Sequence, residues 1–188
     1  MTSFCWLGRQ TEVYSQAKFL LTGQQKKDLG PYAYEDRMPR WLNDQMKSEP
    51  RVFRYNIIGR DGRLVAIERV ENEAAGVVPM LARLSELDPS VEEAWFCHPS
   101  VRHISKYPHE GGFCGYRNIQ MAISFLQGSK ALGHQIFPNK IPTVIQLQEW
   151  IEDAWDRGIN DYARTQVGKL KGTRKWIGTT EVSSTSLT

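Results

Sequence analysis

The chain has 188 residues, and 24 Lys and Arg against 21 Asp and Glu leave a formal net charge of +3. Hydrophobic residues make up 40% and charged residues 24%, a globular composition that excludes collagen-like, coiled-coil and wholly disordered chains and can bury roughly 70% of the unfolded surface. No run approaches the ~18 apolar residues of a membrane span, and Met1 to Trp6 contain no basic region leading into an apolar stretch, so the expectation is a soluble protein of the cytoplasm or nucleus.

In chain order, residues 1–50 read as an N-terminal extension without clear periodicity, with Gly23 to Asp28 as a solvated loop. A short helix is predicted over 37–46, closed by Ser48-Glu49-Pro50, because the residue before proline is driven out of the helical region. Val52 to Ile58 and Leu64 to Ile67 are rich in β-branched and aromatic residues and flank Asp61-Gly62, which predicts a hairpin. Val77, Met80, Leu81, Leu84 and Leu87 keep helical spacing, so a helix is predicted over 73–87, starting or kinking at Pro79. Ala94 to Cys97 reads as a buried strand, and His98 to Phe113 as a loop. A helix is predicted from Cys114 to Gln127 with Gly128 as its closing residue. The next helix carries Pro142 in its first turn and the stripe Val144, Leu147, Ile151 and Trp155, with Trp150 beside it in the core, and closes at Gly158. Beyond Tyr162 the chain becomes basic, and residues 182–188 read as a disordered tail.

The chemistry concentrates at Gly111-Gly112-Phe113-Cys114-Gly115-Tyr116-Arg117-Asn118. Two glycines permit a sharp turn, and a cysteine then stands where a helix begins. The positive end of the helix, aided by Arg117 in the first turn, favours the nucleophilic thiolate. Unpaired backbone N–H groups at such an end can hold the oxyanion of a tetrahedral intermediate. Cys5 and Cys97 are expected to be buried thiols without chemistry. The three cysteines are odd in number and form no C-x-x-C pair, so they are expected to be reduced, with no zinc site and no cofactor.

Gly115-Tyr116-Arg117-Asn118-Ile119-Gln120-Met121 after Cys114 resembles the nucleophile signature of papain-like cysteine peptidases acting on ubiquitin and ubiquitin-fold modifiers, in particular the catalytic domain of zinc-finger-containing ubiquitin peptidases. Ala75 to Leu81 upstream, and Ile141-Pro142-Thr143, Ala154 to Gly158 and Gly172 to Gly178 downstream, agree in order and spacing. The resemblance covers about residues 70 to 181. It implies an α+β papain-like fold whose central helix starts at the nucleophile Cys114 and packs on a sheet. It also implies cleavage of the isopeptide bond after the modifier's C-terminal glycine.

Two departures are visible. The family's Gly-Trp-Gly-Cys is Gly111-Gly112-Phe113-Cys114 here, with the flexible turn before the thiol expected to be retained. The family's general-base His and orienting Asp follow the Trp-Ile-Gly block, whereas all four histidines lie at or before His134 and Glu181 is the only acidic residue after Asp161. By resemblance, residues 51–181 are therefore the front part of a peptidase domain with some sheet strands missing, and the alternative to an active peptidase is a truncated, inactive module that binds ubiquitin. Exposed strand edges would then promote association.

Tyr107 and His103 are candidates for oxyanion support beside Gly115, and His98, His103, His109 and His134 are the histidines present that could substitute as base, although loop histidines are more often simple surface residues. Glu149, Glu152, Asp153 and Asp156 line one helix face that could meet the basic surface of a modifier, although a solvated helix face is the simpler account of them. The basic run from Arg164 to Lys175 lacks interleaved aromatics, and a pI near 8.8 is weak for a nucleic-acid binder, so it reads as a solvated strand or loop.

Overall fold

Local sequence preferences account for most element boundaries in the computed structural model, which describes residues 30–137, 140–179 and 181. The expectations for Cys5, Gly23 to Asp28 and the Ser/Thr-rich tail lie outside the described residues. Helix α1 spans Arg40–Lys47, with the rigid Pro39 at its N-cap. Leu42 and Met46, one turn apart, are buried, and the backbone turns extended at Ser48 ahead of Pro50.

Strands β1 (Val52–Ile58) and β2 (Leu64–Val70) form the expected hairpin, antiparallel, with Val52 opposite Val70 and Ile58 opposite Leu64. Gly62 takes a φ of 76° in the turn. Alternation along the strands places Phe53, Tyr55, Ile57, Val65 and Ile67 on one face, and the ion pair of Arg54 with Glu68 on the other. None of these side chains is buried. A second ribbon pairs β3 (Glu73–Ala74) with β4 (His103–Ile104), so the stretch read as loop before Cys114 contains a short strand.

Helix α2 spans Val77–Leu87 and begins later than predicted, because Gly76 sits in the left-handed region at its N-cap. Pro79 falls in the first turn, where its missing N–H has no helical acceptor to lose. No residue of α2 is buried. The buried strand predicted at Ala94 to Cys97 is not formed: the segment is irregular, Trp95 is 87% exposed, and Cys97 is exposed as well. No described strand offers this segment a ladder partner, and no apolar layer covers it.

Helix α3 spans Cys114–Ser129. Gly128 does not close it; Lys130 takes the left-handed position at its C-cap. The glycine instead admits a crossing loop, since a Cβ there would stand 2.9 Å from Ser100 Cβ and 3.2 Å from its carbonyl oxygen. Helix α4 spans Val144–Asp156. Pro142 lies just outside it, because Thr143 is the N-cap of a capping box: the Gln146 N–H donates to Thr143 Oγ1 and the Thr143 N–H to Gln146 Oε1. Gly158, at φ 80°, follows its C-cap as expected. A further helix, α5 (Asp161–Val167), occupies part of the basic run read as strand or loop.

The core is helical. Leu42 and Met46 of α1 meet Phe113 and Tyr116, Ile119 and Ile123 of α3, Val144 to Trp155 of α4, Val167 of α5 and Leu170. Trp155 is buried as expected and Trp150 packs against the core half-buried. Of the described strands, β4 packs against the helix of Cys114 and buries Ile104, while neither β1 nor β2 contributes a residue to the helical core. What binds the C-terminal segment to it is polar. Gln148, fully buried in α4, accepts from the Gly172 N–H at 2.9 Å and donates to the Thr173 carbonyl at 2.9 Å. Glu152, one turn on, accepts from the Leu170 and Lys171 N–H groups. Gln148→Ala is expected to cost about 1–3 kcal/mol, because it strands a backbone donor and acceptor away from water; urea unfolding that is unchanged would show that solvent replaces both bonds.

Candidate active site

Cys114 is the first residue of α3, and its side chain is exposed. Phe113 precedes it as N-cap, with no side chain capping the helix. The first intrahelical bond runs from the Arg117 N–H to the Phe113 carbonyl at 3.0 Å. The N–H groups of Cys114, Gly115 and Tyr116 therefore have no acceptor within the helix, and they stand at its positive end. Phe113 is fully buried, its ring edge-on to Tyr116 at 5.5 Å. The turn before the thiol is thus anchored, not flexible as the sequence suggested.

The glycines around Cys114 are sites of close approach. Gly111 has a φ of 85°, and a Cβ on it would meet Tyr32 at 2.8 Å. Gly112 lies under the Trp176 indole so closely that a Cβ would fall 1.9 Å from Cδ1 and Nε1. Gly115 abuts Ile177 so closely that a Cβ would fall 2.7 Å from its Cγ1 and 3.0 Å from its carbonyl oxygen. The Trp176-Ile177 segment is therefore laid directly along the backbone that carries the thiol. Arg174 fixes its approach: the guanidinium donates to Glu35 at 2.5 and 2.8 Å and stacks on Tyr32 at 3.8 Å.

Beneath the thiol loop lies a buried polar chain that the sequence did not announce. Glu110, 1% exposed, accepts from Arg117 Nη2 at 2.6 Å and Nε at 3.2 Å. It also accepts from the Tyr107 N–H at 2.9 Å. Arg117 Nη1 donates to Gln120, whose amide donates to the Pro142 carbonyl at 2.6 Å. Arg117 thus points into the core and is neutralised by Glu110, so it does not serve the thiol as a first-turn cation. The only available hint was its place one turn after Cys114, which says nothing of direction. Burial pushes the Tyr116 hydroxyl, which accepts from Gln148 at 3.4 Å, far above its ordinary range.

Tyr107 and His103 are not assembled into an oxyanion site. The Tyr107 hydroxyl donates to Asn72 Oδ1 at 3.2 Å, its ring covers the Arg117 guanidinium at 5.2 Å, and partial burial raises the hydroxyl above its usual range. His103 is an exposed member of β4 opposite Ala74. His98 bonds Ser100 and packs on Phe125, eleven residues along α3 from Cys114 and so about 16 Å away along the axis. His134 bonds the Ala131 carbonyl beyond the far end of α3. His109 is exposed in a left-handed turn. No group of three potential ligands that could hold a metal occurs among the described residues.

The acidic face of α4 is largely paired within the chain. Glu149 pairs with Lys171 at 2.7 Å, Asp156 with Arg164, and Glu152 holds the 170–171 backbone. Asp153 alone of the four has neither an ion pair nor a hydrogen bond to its carboxylate among the described residues. Lys175 is buried, with Nζ donating to the Val167 and Lys169 carbonyls at 3.0 Å each. Arg174 and Lys175 of the basic run are therefore taken up within the fold, whereas Arg164, Lys169 and Lys171 remain exposed.

Two predictions follow from this packing. Arg117→Met, leaving Glu110 buried and unpaired, should cost about 3–5 kcal/mol, while the double change with Glu110→Leu should cost markedly less; equal losses in chemical denaturation would contradict the pairing. Gly112→Ala should lose about 1–3 kcal/mol by overpacking against the indole, and most of that loss should vanish in a Trp176→Ala background; additive losses would show that the two do not touch.

Residues 90–186, just over half of the chain, match the model of peptidase family C78. The mouse zinc finger-containing ubiquitin peptidase 1 is 30% identical over 120 residues, which is 63% of this chain and 21% of that protein. Its human counterpart is 31% identical over 114 residues, 60% of this chain and 20% of that protein. A fission-yeast (Schizosaccharomyces pombe) ubiquitin carboxyl-terminal hydrolase, mug105, is 41% identical over 76 residues, 39% of this chain and 30% of that protein. The chain spans about a fifth of the length of the zinc finger-containing relatives. The matched stretch contains both the uncapped helix end at Cys114 and the Trp176-Ile177 segment packed against it, and the chain belongs to peptidase family C78.

Proposed function

We propose that the chain acts as a papain-like cysteine peptidase on ubiquitin or a ubiquitin-fold modifier, with Cys114 as nucleophile. The observation that carries this reading is the exposed thiol on the first residue of an uncapped helix, within the stretch that matches the family. The Cys114 sulfur, as thiolate, attacks the carbonyl carbon after the modifier's terminal glycine. The carbonyl oxygen takes up negative charge, for which the Cys114 and Gly115 N–H groups are the candidate donors. The C–N bond to the lysine Nζ then breaks, the amine leaves with a proton, and the modifier remains as a thioester. Water attacks that thioester, releasing a carboxylate and restoring the thiol.

This cycle needs a group that accepts and returns a proton, a histidine by family resemblance. Among the described residues, His98 and His134 are held toward the far end of α3, and His103 and His109 are exposed without a hydrogen-bonded partner. That observation favours a second reading, in which this chain binds a modifier without cleaving it. Asp153 is the member of the acidic α4 face best suited to meet a basic modifier surface. A reduced, exposed thiol suits the cytoplasm or nucleus.

A ubiquitin probe with a C-terminal electrophile separates the two readings. Covalent labelling that is abolished in Cys114→Ala supports the nucleophile. Retained labelling in that variant excludes Cys114, and modifier binding without labelling of the intact chain leaves the binding module.

A further inference from the structure

The apolar face of the β1–β2 hairpin and the apolar stripe of α2, continued by Val91, Trp95 and Phe96, are both uncovered. Phe53, Tyr55, Ile57, Val65 and Ile67 are each 40–48% exposed, and Met80, Leu81, Leu84 and Leu87 are 48–70% exposed. An isolated two-stranded ribbon is marginal in water, and so is a free helix of eleven residues. Each surface needs a cover. They do not cover one another within the chain, because the link between them is fixed. Asn72, at φ 57°, accepts from the Ser105 N–H and hydroxyl at its carbonyl and donates its side-chain amide to the Ser105 carbonyl, and β3 is paired to β4 directly afterwards.

The two surfaces complement each other in charge. On the hairpin, Arg51, Arg60 and Arg69 are exposed and without an ion pair among the described residues; Arg69 lies on the apolar face, opposite Phe53. Along α2 and the segment after it, Glu86, Glu92 and Glu93 are exposed and equally without an ion pair among the described residues. A basic-rimmed aromatic face and an acidic-rimmed aliphatic and aromatic surface on one rigidly linked unit satisfy the requirement of an isologous pair: each copy offers what the other lacks, and the contact closes. Because the contact is made twice, each half need supply only about 600 Å² toward the roughly 1,200 Å² of a specific interface. Aromatic residues with arginine are the composition such interfaces favour.

We propose that two copies of this chain pair through this region, the hairpin of one covering the α2-to-Phe96 surface of the other, and reciprocally. The inference does not depend on the peptidase reading. Sedimentation velocity on the full chain, over about two orders of magnitude in concentration, should show a monomer–dimer equilibrium. Ile67→Glu and Leu84→Glu should each raise the dissociation constant at least about tenfold.

Since an apolar-to-acidic change can also unfold a ribbon, a charge-reversal pair provides the second arm. The variant Arg51→Glu with Arg69→Glu, and separately Glu92→Lys with Glu93→Lys, should each be predominantly monomeric. An equimolar mixture should recover a heterodimer, because both of its contacts then join opposite charges. A monomer at every concentration overturns the proposal, as does a dimer unaffected by all four variants. Failure of the charge-reversed pair to recover on mixing overturns the reciprocal pairing. Protection of the hairpin amides from exchange only when ubiquitin is added assigns the surface to the modifier instead.

Discussion

The buried chain of Glu110, Arg117, Gln120 and the Pro142 carbonyl joins three parts of the molecule. Glu110 belongs to the loop that delivers Cys114, Arg117 and Gln120 to the helix that carries it, and Pro142 to the approach of α4. Burying an ion pair gives little net stability compared with a well-packed apolar alternative, whereas breaking one is expensive. Its consequence here is positional. With two bonds from the guanidinium and one from the Tyr107 N–H fixing the Glu110 carboxylate, the loop cannot slide along α3 without leaving a charge unpaired in the core.

The second fixing comes from the opposite side of the thiol. Gln148 and Glu152 hold the 170–173 turn by its backbone, Arg174 is clamped by Glu35 and Tyr32, and the chain then lays Trp176 and Ile177 onto Gly112 and Gly115. A side chain at either glycine would lift that segment away. The region therefore couples a polar clamp on α4 to the exact height of the chain beside Cys114, and the thiol sits between two independently anchored supports. Preorganisation of this kind is what a site built on free N–H groups requires, since donors must already face the place where charge develops.

Much of this was legible in the sequence because it rests on period and punctuation. The hairpin, α3 and α4 follow from alternation, 3.6-residue spacing and the Asp61-Gly62 and Gly158 signals, and two of the stretches that carry the family resemblance meet where Ile177 lies against Gly115. What escaped was direction and partnership. Helical spacing places Arg117 near Cys114 but does not say that it turns inward to Glu110. Gly128 reads as a terminator, yet it is a packing site for Ser100. The carboxylates of α4 read as a free face because the cations that meet them, Lys171 and Arg164, stand 22 and 8 residues away in sequence. Ala94 to Cys97 has the composition of a buried strand, but burial depends on a neighbouring layer that its own residues cannot specify.

These errors share a cause that divides the molecule. Residues around α1, α3, α4 and α5 enclose a helical core in which charges are paired and glycines are in contact. Residues 52–97, by contrast, keep strong local patterning with almost no burial. Local propensity alone does not stabilise a ribbon or an eleven-residue helix in water, so the patterning of 52–97 is information about something that must be packed against it. The acidic face of α4, the first surface the sequence offered for recognition, is paired with Lys171, Arg164 and the 170–171 backbone at every position but Asp153. Other surfaces keep charges that are not paired among the described residues. The strongest of them, by uncovered apolar area and unpaired charge together, is the hairpin and α2 region, which the fold joins to the Cys114 loop through β3, β4 and the contact of Tyr107 with Asn72.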